Sequence, residues 1–295
     1  MSAADDRLLA DVRREWAALG LDGSLVARDL ATGRQLGFGV DEPWPLASVV
    51  KLPLALVAYD AFERGDLARD RPFDVDPGSA TSGPTGVALF RHPARVAAED
   101  LVQLALAVSD NAATDLLLDH LGTAAVDRRL SELGFPDLVV RHEMRAIYGT
   151  DDAVGRVGLG LTAGGGTPGG GHLVPELDPH RANVGTARAL LDLLARVWAD
   201  EVSTPRACAD LRAALGRQPT RHRLAAELAS DAVTVRSKTG TFLDLRHEVG
   251  VVETPTHRIA VAALTRSGVP ANVQIEADLA IGHAARELVD HLRTT

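Results

Sequence analysis

Apolar residues recur at helical spacing over residues 5–19, where Leu8, Leu9, Val12, Trp16 and Leu19 share one face, and predict an amphipathic helix. Weak alternation over 24–28 and 34–38, on either side of Ala31-Thr32-Gly33, predicts a β-hairpin. Pro43 and Pro45 break the chain before residues 49–64, which are apolar on nearly every face, as in a helix buried all round. Residues 99–120 form a second helical region, interrupted near Ser109-Asp110-Asn111, and 124–133 a third. Helical patterns return over 186–198 and 205–215, three strand patterns follow at 234–238, 248–253 and 258–265, and a helix over 275–292 ends the chain. This order predicts a sheet built from both chain ends around a helical insertion. It sets an α/β lobe (residues 1–45 and 200–295) against an all-helical lobe (46–199). No internal repeat is visible.

Residues 155–171 hold nine glycines in seventeen positions. No strand-then-helix pattern surrounds them and no GxxxxGK[ST] occurs, which argues against a phosphate-binding loop. The segment reads as a flexible surface insertion, with a mobile lid as the alternative.

Composition narrows the function classes. The 295 residues are 46% hydrophobic and 24% charged, enough for one large core or two lobes. A net charge of −9 without any Lys/Arg block speaks against nucleic acid or an anionic membrane as partner. The single cysteine, Cys208, excludes an internal disulfide and a cysteine-based zinc site, and the ten histidines show no metal-ligand spacing. No cofactor or metal is therefore implied. The N-terminus, Met1-Ser2-Ala3-Ala4-Asp5-Asp6-Arg7, is acidic where an export signal would be basic, and no apolar stretch follows it. The chain as given is expected to be a cytoplasmic monomer, or exported if a leader has been removed.

Three short motifs carry the chemistry: Ser48-Val49-Val50-Lys51, Ser109-Asp110-Asn111 and Lys238-Thr239-Gly240. Ser48 and Lys51 stand at i and i+3 at the start of a buried helix, on one face, so the amine can take the hydroxyl proton. An apolar setting beside other cations lowers a lysine pKa and suits it to that task. Backbone N–H groups at the helix start supply part of an oxyanion hole. Ser109 lies between two apolar helices. Lys238 ends the β-branched run Val233-Thr234-Val235, and Gly240 is expected to leave room for a substrate along the strand. Each motif alone is weak; their order and context together are specific.

The set resembles the class A β-lactamases and the penicillin-binding-protein superfamily, whose S-x-x-K, S-D-N and K-T-G motifs are a catalytic signature. The similarity extends from Gly33-Arg34 in the hairpin, through Val108 to Leu118, to Ser237-Lys238-Thr239-Gly240-Thr241. It implies a β-lactamase/transpeptidase-like α/β fold, an antiparallel sheet flanked by helices with an inserted helical lobe. It further implies that Ser48 is the acylated nucleophile and Lys51 its proton partner, and that Ser109 passes a proton to the departing amine. Asn111 would contact the substrate amide and steady Lys51; Lys238 would supply positive potential. Thr239 would bind a substrate carboxylate, joined by Arg246 on the next strand. The N–H groups of Ser48 and Thr241 would form the oxyanion hole. The implied partner is a small molecule bearing a carboxylate.

Departures fall where turnover is decided. The family's E-x-x-L-N pattern supplies the base that frees the acyl-enzyme. Here Arg141-His142-Glu143 resembles its start, but Met144-Arg145-Ala146 follows; Pro175-Glu176-Leu177-Asp178 resembles its end, with Val174 at the glutamate position. Glu143 is the preferred candidate, beside the reading in which neither glutamate is the base. Three functions stay open: a β-lactam hydrolase, an intracellular amide or ester hydrolase or acyltransferase using the same site, and a non-catalytic binder on the same fold.

Overall fold

The computed structural model describes residues 2–147, 172, 174–228, 230 and 232–294. The insertion at 155–171 lies outside them. Both chain ends build one five-stranded antiparallel sheet of order β2-β1-β9-β8-β7, from β1 (Leu21–Asp29), β2 (Gln35–Phe38), β7 (Thr234–Phe242), β8 (Leu245–Glu253) and β9 (Arg258–Ser267). β1 and β9 pair from Leu21↔Ser267 to Asp29↔Ile259, which closes the two ends of the chain onto each other. Alternate residues of β1 enter different cores: Leu25 and Ala27 on one face, Val26 on the other. With both faces covered, the central strand β9 is a continuous apolar run from Ile259 to Leu264.

On one face lie α1 (Ala3–Ala18) and the C-terminal α8 (Ile275–Thr294). Ser2 caps α1 through a reciprocal capping box with Asp5. On the other face sit α6 (Ala187–Trp198), which packs on β9 and β1, and α7 (Pro205–Leu215), which packs on α2, α3 and β7. Thus α6, placed by sequence in the helical lobe, covers the sheet, whereas α7, placed in the α/β lobe, reaches the helices.

The helical lobe surrounds α2 (Lys51–Arg64), whose residues from Lys51 to Phe62 are all buried; Gly65 in the left-handed conformation ends it. Around it stand α3 (Ala98–Ala107), α4 (Asn111–Leu121) and α5 (Thr123–Glu132). A small hairpin of β4 (Pro72–Val75) and β5 (Ala94–Ala97) and a two-residue pairing of β3 (Trp44–Pro45) with β6 (Val184–Gly185) were not signalled by periodicity. Among the described residues no helix is long and apolar enough to cross a membrane. This architecture is a β-lactamase/transpeptidase-like fold.

Candidate active site

The site forms where the start of α2 meets edge strand β7 and the α3–α4 turn. Ser48 sits in a 3₁₀ turn, Ala47–Val50, that leads directly into α2. Two ties hold the chain before this turn against the sheet, Trp44 Nε1 donating to Ser24 Oγ (2.9 Å) and His247 Nε2 to Pro45 O (2.8 Å), and a third, Leu46 N–H to Asn183 O (2.8 Å), holds it to the segment before β6. His247 Nδ1 accepts from Thr265 N–H at 2.9 Å, so the proton resides on Nε2. Burial, first of all, holds that imidazole at a pKa of about 3, so it stays neutral.

Ala47 (φ 45°), just before Ser48, and Ser109 (φ 57°) carry left-handed backbone at the site, as does Leu243 (φ 52°) in the cavity wall. Such strain persists where surrounding structure over-determines it. Here Asp110 does so on one side: its Oδ1 caps α4 at Ala113 N–H (3.2 Å) and its Oδ2 accepts from Val87 N–H (2.6 Å).

Gly240 has a different role from the one its sequence context suggested. A Cβ there would lie 2.9 Å from both Leu46 O and Val49 Cγ2. The missing side chain makes room for the Ser48 turn itself, not for a ligand.

The lysines converge. Lys51 Nζ donates to Ser109 O and Asn111 Oδ1, each at 2.6 Å, and to Ser109 Oγ at 3.2 Å. Lys238 Nζ donates to the same Ser109 Oγ at 3.1 Å and to Thr239 O at 2.8 Å. Burial lowers both pKa values: Lys51 falls well below the ordinary lysine range, with the Lys238 charge adding to the effect, and Lys238 falls to about 7.

A cavity of about 330 Å³ opens beside Ser48, with Asn111, Thr241, Met144, Ile147 and Leu243 in its wall. β7 is an edge strand, and Thr239 turns its N–H outward, away from β8. Thr241, two residues along, shares that orientation on the strand, and it lines the cavity together with Ser48.

Two candidates are elsewhere. Arg246 is fully buried on the α8 side, donating to Ser267 Oγ (2.8 Å), Asp278 Oδ2 (3.0 Å), Gln274 O (3.1 Å) and Pro270 O (3.0 Å). Four of its five N–H donors are thus engaged within the protein, as burial of a guanidinium demands. Glu143 is half-buried, 3.5 Å from Arg145 Nη2, and does not line the cavity; nor does Glu176. The helical turn at 144–147 presents Met144 and Ile147 instead, held by Asp115, which accepts from Met144 N–H (2.6 Å) and Arg145 N–H (2.9 Å).

Residues without a sequence signal complete the frame. Arg223, also buried, donates to Gly240 O (3.2 Å), His247 O (2.8 Å), Thr241 Oγ1 (2.9 Å) and Asp278 Oδ1 (2.7 Å). Buried Gln218 holds Thr239, and buried Glu248 accepts from Ser237 Oγ (2.5 Å) and Leu224 N–H (2.8 Å). Only a polar residue at a position expected to be apolar could have flagged them.

Fold and constellation together define a protein of the β-lactamase/transpeptidase class. Residues 8–292 match the profile of the Beta-lactamase enzyme family, and the chain belongs to that family. It is 44% identical over 306 residues, 98% of each chain, to the β-lactamase regulatory protein BlaB of Streptomyces cacaoi. It is 32% identical over 140 residues, 45% of this chain and 43% of the relative, to a β-lactamase of Streptomyces albus G. Among solved structures, PBP-A superposes with a TM-score of 0.79 at 20% identity, covering 98% of this chain and 97% of its own. A β-lactamase from Sphaerobacter thermophilus superposes at 0.76 with 21% identity, covering 97% of each.

Proposed function

We propose that this protein is a serine acyl-transfer enzyme that forms an acyl-enzyme at Ser48 and hydrolyses it slowly. The convergence of Lys51 and Lys238 on Ser109, beside a serine that opens onto a cavity, carries this reading. In the acylation step Ser48 Oγ attacks the carbonyl carbon and its proton passes to neutral Lys51. The oxyanion is received by the N–H groups of Ser48 and Thr241. As the acyl bond breaks, Ser109 gives its proton to the leaving nitrogen or oxygen and is reprotonated from Lys51. Lys238 stabilises the negative charge that develops.

Release of the acyl group needs a base for water. The pairing of Glu143 with Arg145, outside the cavity wall, supports slow release. β-Lactams are then acylating agents rather than rapidly consumed substrates. The name of the 44% identical relative favours a second reading, in which the acylated protein acts as a signal and adduct lifetime is the functional quantity.

A chromogenic cephalosporin at saturation, followed by absorbance and intact-protein mass, tests the proposal. We expect one adduct at Ser48, absent in Ser48→Ala, that outlives the assay without repeated turnover. Lys51→Met should slow its formation by about 10²–10⁴-fold. Many turnovers per molecule would overturn slow release. No adduct with either the cephalosporin or p-nitrophenyl acetate would overturn acylation itself.

A further inference from the structure

Thr239 is the residue the family resemblance assigns to a substrate carboxylate, and its two donors are already in use. Its backbone N–H and its hydroxyl both reach Oε1 of Gln218, each at 2.9 Å. The orientation of that amide follows from chemistry. A backbone N–H only donates, so the amide oxygen must face it, and the hydroxyl against the same oxygen must donate too. At its other end, Gln218 Nε2 donates to Ser237 Oγ (3.1 Å) and Glu248 Oε1 (3.4 Å). Gln218 is only 3% exposed, so this closed chain of bonds sits inside the protein.

The cations of the region are buried and already paired within the protein as well. Arg223 and Arg246 share Asp278 and are 1% and 0% exposed. Lys238 is directed at Ser109 and Thr239 O. Among the described residues, no charged side chain lines the cavity, whose wall includes Met144, Ile147, Phe242 and Leu243.

We propose that this site, granted acylation of Ser48 as above, selects acyl donors that carry no carboxylate on the leaving-group side of the scissile bond, with Gln218 withholding Thr239 from anion recognition. A neutral ester or amide leaves the Gln218–Thr239 pair intact and sets its apolar parts against the cavity wall. A carboxylate would be stripped of water beside donors already filled, a penalty that only displacement of Gln218 relieves.

Benzylpenicillin and its methyl ester form a matched pair of probes, with one acyl group and one scissile bond, differing in the carboxylate. With the full chain, second-order acylation of Ser48 by each is followed by intact mass and peptide mapping. We expect the ester to react about tenfold faster than the acid, as for one hydrogen bond to a charged group forgone. Gln218→Met, which keeps the length and removes the amide oxygen, should raise the acid-to-ester ratio about tenfold. A wild-type ratio of one or more overturns the proposal, as does a ratio unmoved in a folded Gln218→Met protein; should that variant not fold, the wild-type ratio decides. Labelling by neither probe, or labelling that persists in Ser48→Ala, overturns the acylation reading instead.

Discussion

Lys51 and Lys238 meet at one oxygen: their Nζ atoms stand 3.2 and 3.1 Å from Ser109 Oγ. Burial first of all lowers both pKa values: Lys51 falls well below the ordinary lysine range, with the Lys238 charge adding to the effect, and Lys238 falls to about 7, with the Arg223 charge adding to it. In the proposed mechanism Lys51, pushed down by burial and by its neighbour's charge, is the proton acceptor of the pair. Lys238 keeps its charge up to about pH 7.

The activity profile should show this division. Acylation is expected to fall as pH rises through about 7, when Lys238 becomes neutral. Lys238→Arg keeps a charge at all accessible pH values, so the decline should move to higher pH in that variant. Superimposable profiles of the two proteins would remove Lys238 as the titrating group.

Stability should respond to pH through the same groups. The folded pKa of Lys238 is about 7 against 10.5 for the free side chain, so the unfolded chain binds the extra proton between those values. Its contribution therefore rises with pH across that window and is flat below it. His247, at about 3 against 6.5, acts likewise at acid pH: stability falls as pH drops from about 6.5 toward 3. Urea midpoints measured against pH should show Lys238→Met losing its stability advantage over wild type from pH 7 to 10.

Asp278 joins α8 to the sheet by accepting from Arg223 (2.7 Å) and Arg246 (3.0 Å). Asp278→Asn leaves two buried guanidiniums without their counter-charge and should cost about 3–5 kcal/mol in chemical denaturation. A loss below about 1 kcal/mol, the range of an exposed pair, would contradict the buried geometry.

Gly240→Ala should destabilise the protein by about 1–3 kcal/mol, because the new methyl meets Leu46 O and Val49. Acylation should fall further than stability does, since the displaced turn carries Ser48. Denaturation and adduct formation measured on the same preparation separate the two effects.

Glu143→Gln is expected to leave the lifetime of the acyl-enzyme within about twofold of wild type, as for a surface change remote from the chemistry. Time-resolved intact mass measures that lifetime. A strongly prolonged adduct would identify Glu143 as the deacylation base.

The elements with strong periodicity were legible in the chain, and so were the three motifs. The i and i+3 spacing of Ser48 and Lys51 is a local property, and the long apolar helix that follows is read from the residues themselves. The short β4–β5 hairpin was not legible, since Phe73, Val75 and Val96, on strands of four residues each, are too few apolar positions to set a period.

Side-chain destinations belong to the tertiary structure. Arg246 stands one strand from the site, as expected, yet Asp278 on the last helix draws it away. Glu143 follows a motif fragment but turns to Arg145, and Gly240 makes space for the Ser48 turn. Gln218, with no motif around it, reaches Thr239 only because α7 packs beside β7. By itself the sequence determined which hydroxyls and amines are present, on which elements, in what order, because spacing along a helix or strand is short-range geometry. Which of them meet, which are neutral and which donors stay open for a substrate were decided by packing, because burial and pairing depend on residues distant in the chain.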